Sequence, residues 1–220
     1  MITRLKLLIP YIYSFFFCLR YLPLRQAFHI PVLIHPSVKI DSLPRGAVKF
    51  RGKLKHAMFV FGFKGTIGVS NCRSILSIRK GGSLVVGDGV KMARGTRVVI
   101  GHNGLVEIGK QFWCNGDCFF QCTTKITIGD ENMYGWNISF NTSDGHHVYD
   151  SGVQKPMEGE IVIGNHVWIA SNSYIAKNTL IADDCIVAQN SLVGKRFERP
   201  KCLIGGVPAR VIKENVNWLA

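Results

Sequence analysis

A parallel β-helix is the fold that this sequence specifies, and three features say so. Beyond residue 160 the chain cuts into sixes without a slip: "IGNHVW", "IASNSY", "IAKNTL", "IADDCI", "VAQNSL" and "VGKRFE". The lead residue of each six is aliphatic (Ile163, Ile169, Ile175, Ile181, Val187, Val193), and the residue after it is always Gly or Ala. A period of six is neither the 3.6 of a helix nor the 2 of an alternating strand, so neither element explains it. Hexads build a coil in which each six supplies one short strand and one corner, three of them closing a turn. The lead residue points inward and stacks on its counterpart in the next coil, while the small residue fits a cramped corner. No coil buries its own apolar face, so repetition is the condition for stability.

The elements follow in order. Residues 1–45 are a separate material, "MITRLKLLIPYIYSFFFCLRYLPLRQAF" onward, in which Leu5, Leu8, Ile12, Phe15, Phe16, Leu19 and Leu22 recur at helical spacing. Arg4, Lys6, Arg20 and Arg25 bracket that stripe. The 13 uncharged residues between Lys6 and Arg20 fall short of the roughly 20 that a bilayer span needs. No small-residue cleavage site follows, which argues against a secretory signal. Two accounts remain: residues 1–25 lie in the headgroup region of an anionic membrane, or they cap the open end of the prism. Pro10 is expected to break or kink a single helix, which leaves room for two short segments. The β-helix is expected over residues 46–212. Its register shows through noise at Val86, Met92 and Val98, at Ile108, Cys114, Phe120 and Ile126, and at Ile128, Tyr134 and Phe140. Residues 141–160, "NTSDGHHVYDSGVQKPMEGE", refuse the repeat and must leave the prism as an external loop, and residues 213–220 form a tail.

Composition narrows the partners. With 220 residues and 47% hydrophobic content, one sizeable core is expected. A formal charge of +13 favours an anionic partner: nucleic acid, a membrane surface, a phosphorylated cofactor or an acidic glycan. Nucleic acid is set aside because no recognition motif accompanies the charge. The seven cysteines are odd in number and carry no Cys-x-x-Cys with matching histidines, which fits reduced thiols in the cytoplasm. Cys114, Cys118 and Cys122 would share a face on a helix, but the hexad register puts them in strands and corners, as packing residues; no metal is expected.

The external loop holds two adjacent histidines, His146 and His147. Loops held on a rigid scaffold are where catalytic residues concentrate, and histidine is the side chain best suited to carry protons near neutral pH. The hexads, "IVIGNHVWIA" and the closing "CLIGGVPARVIK" together resemble the bacterial hexapeptide acyltransferases. Within them, "YGWNISFNTSDGHHVYD" resembles the branch that O-acetylates sugars of capsules and O-antigens, sialic acid polymers included. The likeness spans about residues 65–213. It implies an all-β, left-handed parallel β-helix, an exception to the right-handed crossover rule. It also implies a homotrimer with acetyl-CoA in the groove between neighbouring prisms, and a glycan acceptor.

The same resemblance assigns roles. His146, three residues before "YD", matches the family's general base, and His147 has no counterpart. Trp168 matches a tryptophan lining the acetyl-CoA and acceptor site, and Asn115 an asparagine that helps hold the acceptor. Ser171 matches the position whose backbone N–H faces the thioester oxygen. Gln189 matches a corner that contacts pantetheine, and Lys195 and Arg210 match basic positions near the CoA phosphates. Asp144 is a candidate to orient His146. The chain departs from the family at Ala170, where Gly is usual, at Gly194 and at Val207. A peripheral position on the inner face of the cytoplasmic membrane would put such an enzyme where lipid-linked glycans are assembled. Two other readings remain: a metal-dependent hydratase of the γ-type carbonic anhydrase kind, with His102, His146 and His166 as ligands, and a non-catalytic glycan-binding scaffold.

Overall fold

The structure is a computed structural model that describes residues 2–66 and 72–219, with side chains from residue 8 onward. It is a left-handed parallel β-helix, all-β apart from its N-terminal helices, whose three faces are parallel sheets. The chain visits the faces in turn. Val32–Ile34, Phe59–Phe63 and Val90–Ala93 lie side by side on the first face, and Lys39–Ser42, Ile75–Ile78 and Arg97–Ile100 on the second. Val48–Phe50, Ser83–Val86 and Leu105–Ile108 make up the start of the third. The first face runs to nine strands, because the last two, Cys202–Gly206 and Ala209–Glu214, close the far end as an antiparallel hairpin.

The hexad leads occupy the axis. Ile163, Ile175 and Ile181 are 1% exposed, and Ile169, Val187 and Val193 are 0% exposed. Each such side chain, fully removed from water, contributes about 1.5–3 kcal/mol. In the preceding coils aromatics take over: Phe120 stacks on Phe140 at 4.8 Å, and Tyr134 stands edge-on to Phe112 at 5.0 Å. Cys114, Cys118 and Cys122 are fully buried among them as packing residues. Burial pushes the Cys122 thiol up to about 11, and Cys114 well above its ordinary value. Iodoacetamide at neutral pH should therefore alkylate exposed Cys72 in the native protein and reach Cys114, Cys118 and Cys122 only after denaturation, as mass spectrometry would read.

The corners explain the rest of the hexad. Three residues after each of the first five leads, His166, Asn172, Asn178, Asp184 and Asn190 take φ between 53° and 63°. Asn and Asp tolerate this left-handed region better than other side chains. The small residue after the lead has a different reason, which is close approach. A Cβ on Gly129 would stand 2.6 Å from the Gly164 carbonyl oxygen of the next coil, and a Cβ on Gly164 2.8 Å from the Asp183 nitrogen. Side chains brace the same corner: Asp130 N–H donates to Asn165 Oδ1 (2.9 Å), and Asn165 N–H donates to Asp183 Oδ1 (2.7 Å). Gly129→Ala should cost about 1–3 kcal/mol as an overpacked site. Gly194→Ala, with nothing nearer than 3.6 Å, should be close to neutral; paired denaturant melts test the contrast.

Two expectations are corrected at the N-terminal end. The prism starts at Val32 rather than near residue 46, since Val32–Ile34 pairs in register with Phe59–Phe61. The first two coils have irregular corners, so their period of six is hidden while the burial of alternate residues persists. Pro10 does not split the helix: α1 runs through it, Ile2–Tyr21, and a short α2, Leu24–Ala27, follows. Proline removes one backbone donor and costs about 3 kcal/mol or more within a helix; packing of the helix's second half against the first coil offsets it. Phe17, Cys18 and Leu22 join the core, and Ser14 Oγ accepts the Ile34 N–H at 2.9 Å. The opposite side of α1 is open: Leu8, Ile9, Ile12 and Phe16 are 49–63% exposed. The side chains of Arg4, Leu5 and Lys6 lie outside the described residues. Among those described, no helix is long and apolar enough to cross a membrane.

Candidate active site

The external loop leaves the prism between the second-face strand Ser139–Asn141 and the third-face strand Ile161–Ile163, and it is tied at its base. Gly159 N–H donates to the Thr142 carbonyl and Asp144 N–H to the Met157 carbonyl, each at 2.9 Å, while Ser143 and Glu158 form a bridge. Lys177, at the matching corner of the next coil, pairs with the Asp144 carboxylate at 2.5 Å and also donates to the Pro156 carbonyl. The Lys177 side chain is only 17% exposed, so the pair is less screened than a surface one. At the tip, Tyr149–Asp150 pairs antiparallel with Val153–Gln154. Its two turn residues, Ser151 and Gly152, both have positive φ, the geometry that matches hairpin twist.

The two histidines part company on this loop. Gln154 Nε2 donates to His147 Nδ1 at 2.8 Å, so the hairpin holds His147. His146 follows Gly145, whose N–H donates to Ser143 Oγ at 3.1 Å, and among the described residues nothing hydrogen-bonds its ring. The residue is exposed. The pairing of Asp144 with His146 suggested by the sequence is not formed: the carboxylate is held by Lys177, which lies closer and carries the full opposite charge.

Three of the other candidates fall on a different edge. Asn115, Ser171 and Gln189 each follow a first-face strand (Trp113–Cys114, Trp168–Ile169, Ile186–Val187) and so stack along the corner between the first and second faces. Ser171 is buried there; its hydroxyl accepts the Trp136 N–H at 3.2 Å and its carbonyl the Asn190 N–H at 3.1 Å. Asn115 donates its N–H to the Tyr134 carbonyl, and its Oδ1 accepts the Thr66 hydroxyl, both at 3.0 Å. Gln189 is exposed. Trp168 opens its first-face strand with 38% of its surface exposed. Lys195 shares the loop's edge, two coils further along, with its ammonium 5.4 Å from the Phe197 ring. It borders a groove of about 320 Å³ with Arg196 and Arg199, whose charges are taken by Glu198 and Glu214. Arg210 is exposed on the closing hairpin. The single chain thus places Asn115, Ser171 and Gln189 on one edge and His146 and Lys195 on another.

Two residues escaped the sequence reading. Lys177, the anchor of the loop, sits two after a lead, where the hexads point outward; a lysine there, facing a loop rich in acids, was the available signal. Trp218 lies in what reads as a tail, yet it is 8% exposed. Its indole stacks on His166 at 4.2 Å and donates to the His166 carbonyl at 3.0 Å. It also stands 6.2 Å from Trp168, extending that aromatic surface, and His166 in turn bonds Asp184 at 2.9 Å. A tryptophan amid polar residues was the only hint. Among the described residues no three of His, Cys, Asp and Glu are grouped as for a metal ion, and within one chain His102 and His166 sit at separate corners and His146 in the loop.

Residues 160–195 match the family model described as bacterial transferase hexapeptide (six repeats). An uncharacterized 24.8 kDa protein from the cps region of Klebsiella pneumoniae is 36% identical over 205 residues, 90% of this chain and 86% of that protein. A polysialic acid O-acetyltransferase of Escherichia coli O1:K1 / APEC is 33% identical over 141 residues; the match takes in 62% of this chain but only 42% of that enzyme's length. Among solved structures, the polysialic acid O-acetyltransferase OatWY superposes with a TM-score of 0.57 at 22% identity, over 86% of this chain and 87% of that one, a likeness of fold.

Proposed function

The chain belongs to the bacterial hexapeptide-repeat transferases, and from that footing we propose that it is an acetyl-CoA-dependent O-acetyltransferase acting on a sugar hydroxyl of a bacterial surface polysaccharide, capsule or O-antigen, or of its precursor. The observation that carries the reading is His146, an imidazole with both nitrogens unengaged on a loop whose base is locked to the prism. A sugar hydroxyl is a poor nucleophile, and a neutral imidazole takes its proton as the oxygen bonds to the acetyl carbon. The tetrahedral oxyanion meets the Ser171 N–H, as in other preorganised oxyanion sites. When it collapses the carbon–sulfur bond breaks, and the proton held by His146 passes to the departing thiolate. Trp168 lines the acceptor and acetyl-CoA groove, and Asn115 helps hold the sugar. Gln189 contacts pantetheine through its backbone, and Lys195 and Arg210 meet the CoA phosphates.

The separation of these groups on two edges supports a homotrimer. Parallel prisms packed around a threefold axis set one protomer's loop edge against the next protomer's edge of Asn115, Ser171 and Gln189, so that each site draws on two chains. Sedimentation velocity should give a trimer that carries the transfer activity; a fully active monomer would defeat the shared site. The chemistry itself is tested with radiolabelled acetyl-CoA and a panel of bacterial polysaccharides. Label should move to a glycan and depend on His146, whereas glycan binding without transfer would favour a scaffold. The reading also puts the enzyme at the inner face of the cytoplasmic membrane, held peripherally by residues 1–25. Its support is an α1 that is apolar on both sides, as few helices are unless both sides are covered.

A further inference from the structure

The proposed chemistry uses the corners and the loop and leaves the N-terminal end without a role. There α1 and the second face enclose a groove of about 400 Å³, within the range of small-ligand sites. The apolar part of its lining comes from Phe16 and Phe17 of the helix and from Val38 and Ile40 of the first coil. Three cations border it: Arg20, Lys39 and Arg73. Arg20 is held 5.4 Å over the Tyr21 ring, and the Arg73 Nε–H donates to the Ser37 carbonyl at 2.9 Å. Lys39 lies 3.9 Å from Asp41, a carboxylate that also takes the Ser77 hydroxyl at 3.0 Å and stands 3.8 Å from Arg79. Positive charge therefore exceeds negative around the groove.

An apolar trough bordered by cations complements a molecule with a hydrocarbon chain at one end and a phosphate at the other. The surroundings say where such a molecule comes from. Phe16 belongs both to the groove and to the exposed apolar face of α1 with Leu8, Ile9 and Ile12, so the groove opens beside a surface suited to lie among acyl chains. We propose that this groove is a binding site for an anionic phospholipid of the bilayer, with the phosphate at Lys39, Arg73 and Arg20 and the first methylenes against Phe16, Val38 and Ile40. The site rests on the peripheral-membrane reading above and gives that contact a specific ligand.

The full-length protein is tested on vesicles of phosphatidylcholine alone or mixed with phosphatidylglycerol. Lys39→Ser/Arg73→Ser removes two groove cations, and Lys53→Ser/Lys80→Ser removes two exposed cations away from it. Cosedimentation with the mixed vesicles should weaken about tenfold in the first double variant, and by less than about twofold in the second. Equal losses in the two would reduce the effect to diffuse charge and overturn the groove while the peripheral position stood. If the unsubstituted protein pelleted with neither vesicle, the peripheral reading itself would fall. A second arm uses short-chain phosphatidylglycerol below its micellar concentration. It should raise the melting temperature of the unsubstituted protein and not that of Lys39→Ser/Arg73→Ser; equal protection by inorganic phosphate would overturn the lipid assignment.

Discussion

His146→Ala is expected to lower turnover by about 10² to 10⁴, the usual contribution of a general base, with little change in acetyl-CoA affinity. The loop should survive the substitution, because its base is tied by Lys177, Asp144 and the pairing of residues 142–144 with 157–159, none of which involves the imidazole. His147→Ala should be mild: it removes one hydrogen bond to Gln154 on an exposed hairpin, worth about 1 kcal/mol or less. Steady-state kinetics on both variants settles the assignment. A mild His146→Ala beside a crippled His147→Ala would reverse the roles, and with them the alignment through "YD".

Deleting residues 1–25 is expected to leave a chain that aggregates, despite the membrane contact proposed for the same segment. The deletion takes Phe17 and Leu22 out of the core, about 1.5–3 kcal/mol each, and leaves the Ile34 N–H without its Ser14 acceptor. Against the 5–15 kcal/mol that holds a typical domain together this is a large share. It also bares the end of a stack of strands, where Val32 and Ile34 are now fully covered. Size-exclusion chromatography and thermal melts would read the result. A truncated protein that stays monodisperse and melts normally would show that the cap is dispensable. The sequence posed capping and membrane contact as alternatives, yet the helix has a face for each: Phe17 and Cys18 inward, Ile12 and Phe16 outward.

How far the chain could be read depended on how local the signal was. Residues 163–197 announce their own structure, because each hexad carries its inward lead and its cramped corner within six positions. The Asn and Asp at the left-handed corners were equally local, and their period was there to be counted. The start at Val32 was hidden because the early corners vary in length, so that strands pairing in register are unevenly spaced in sequence. Pro10 misled for another reason. A local rule for helix breaking was applied where packing on the first coil outweighs it.

By itself the sequence determined the repeat, its inward leads, the departure of one loop from the prism and the presence of two histidines on that loop. These are properties of neighbours along the chain, and a period of six survives without knowledge of what lies across from it. Only the tertiary structure decided which histidine is held and which is unengaged, that Asp144 goes to Lys177, that Trp218 returns to lie beside Trp168, and that Asn115 and Ser171 share one edge while His146 occupies another. Each of these joins residues separated along the chain, and each was settled by which partner the coil's geometry brought within a few ångströms. Lys177, one coil further along, thus outcompeted a neighbour only two residues from Asp144.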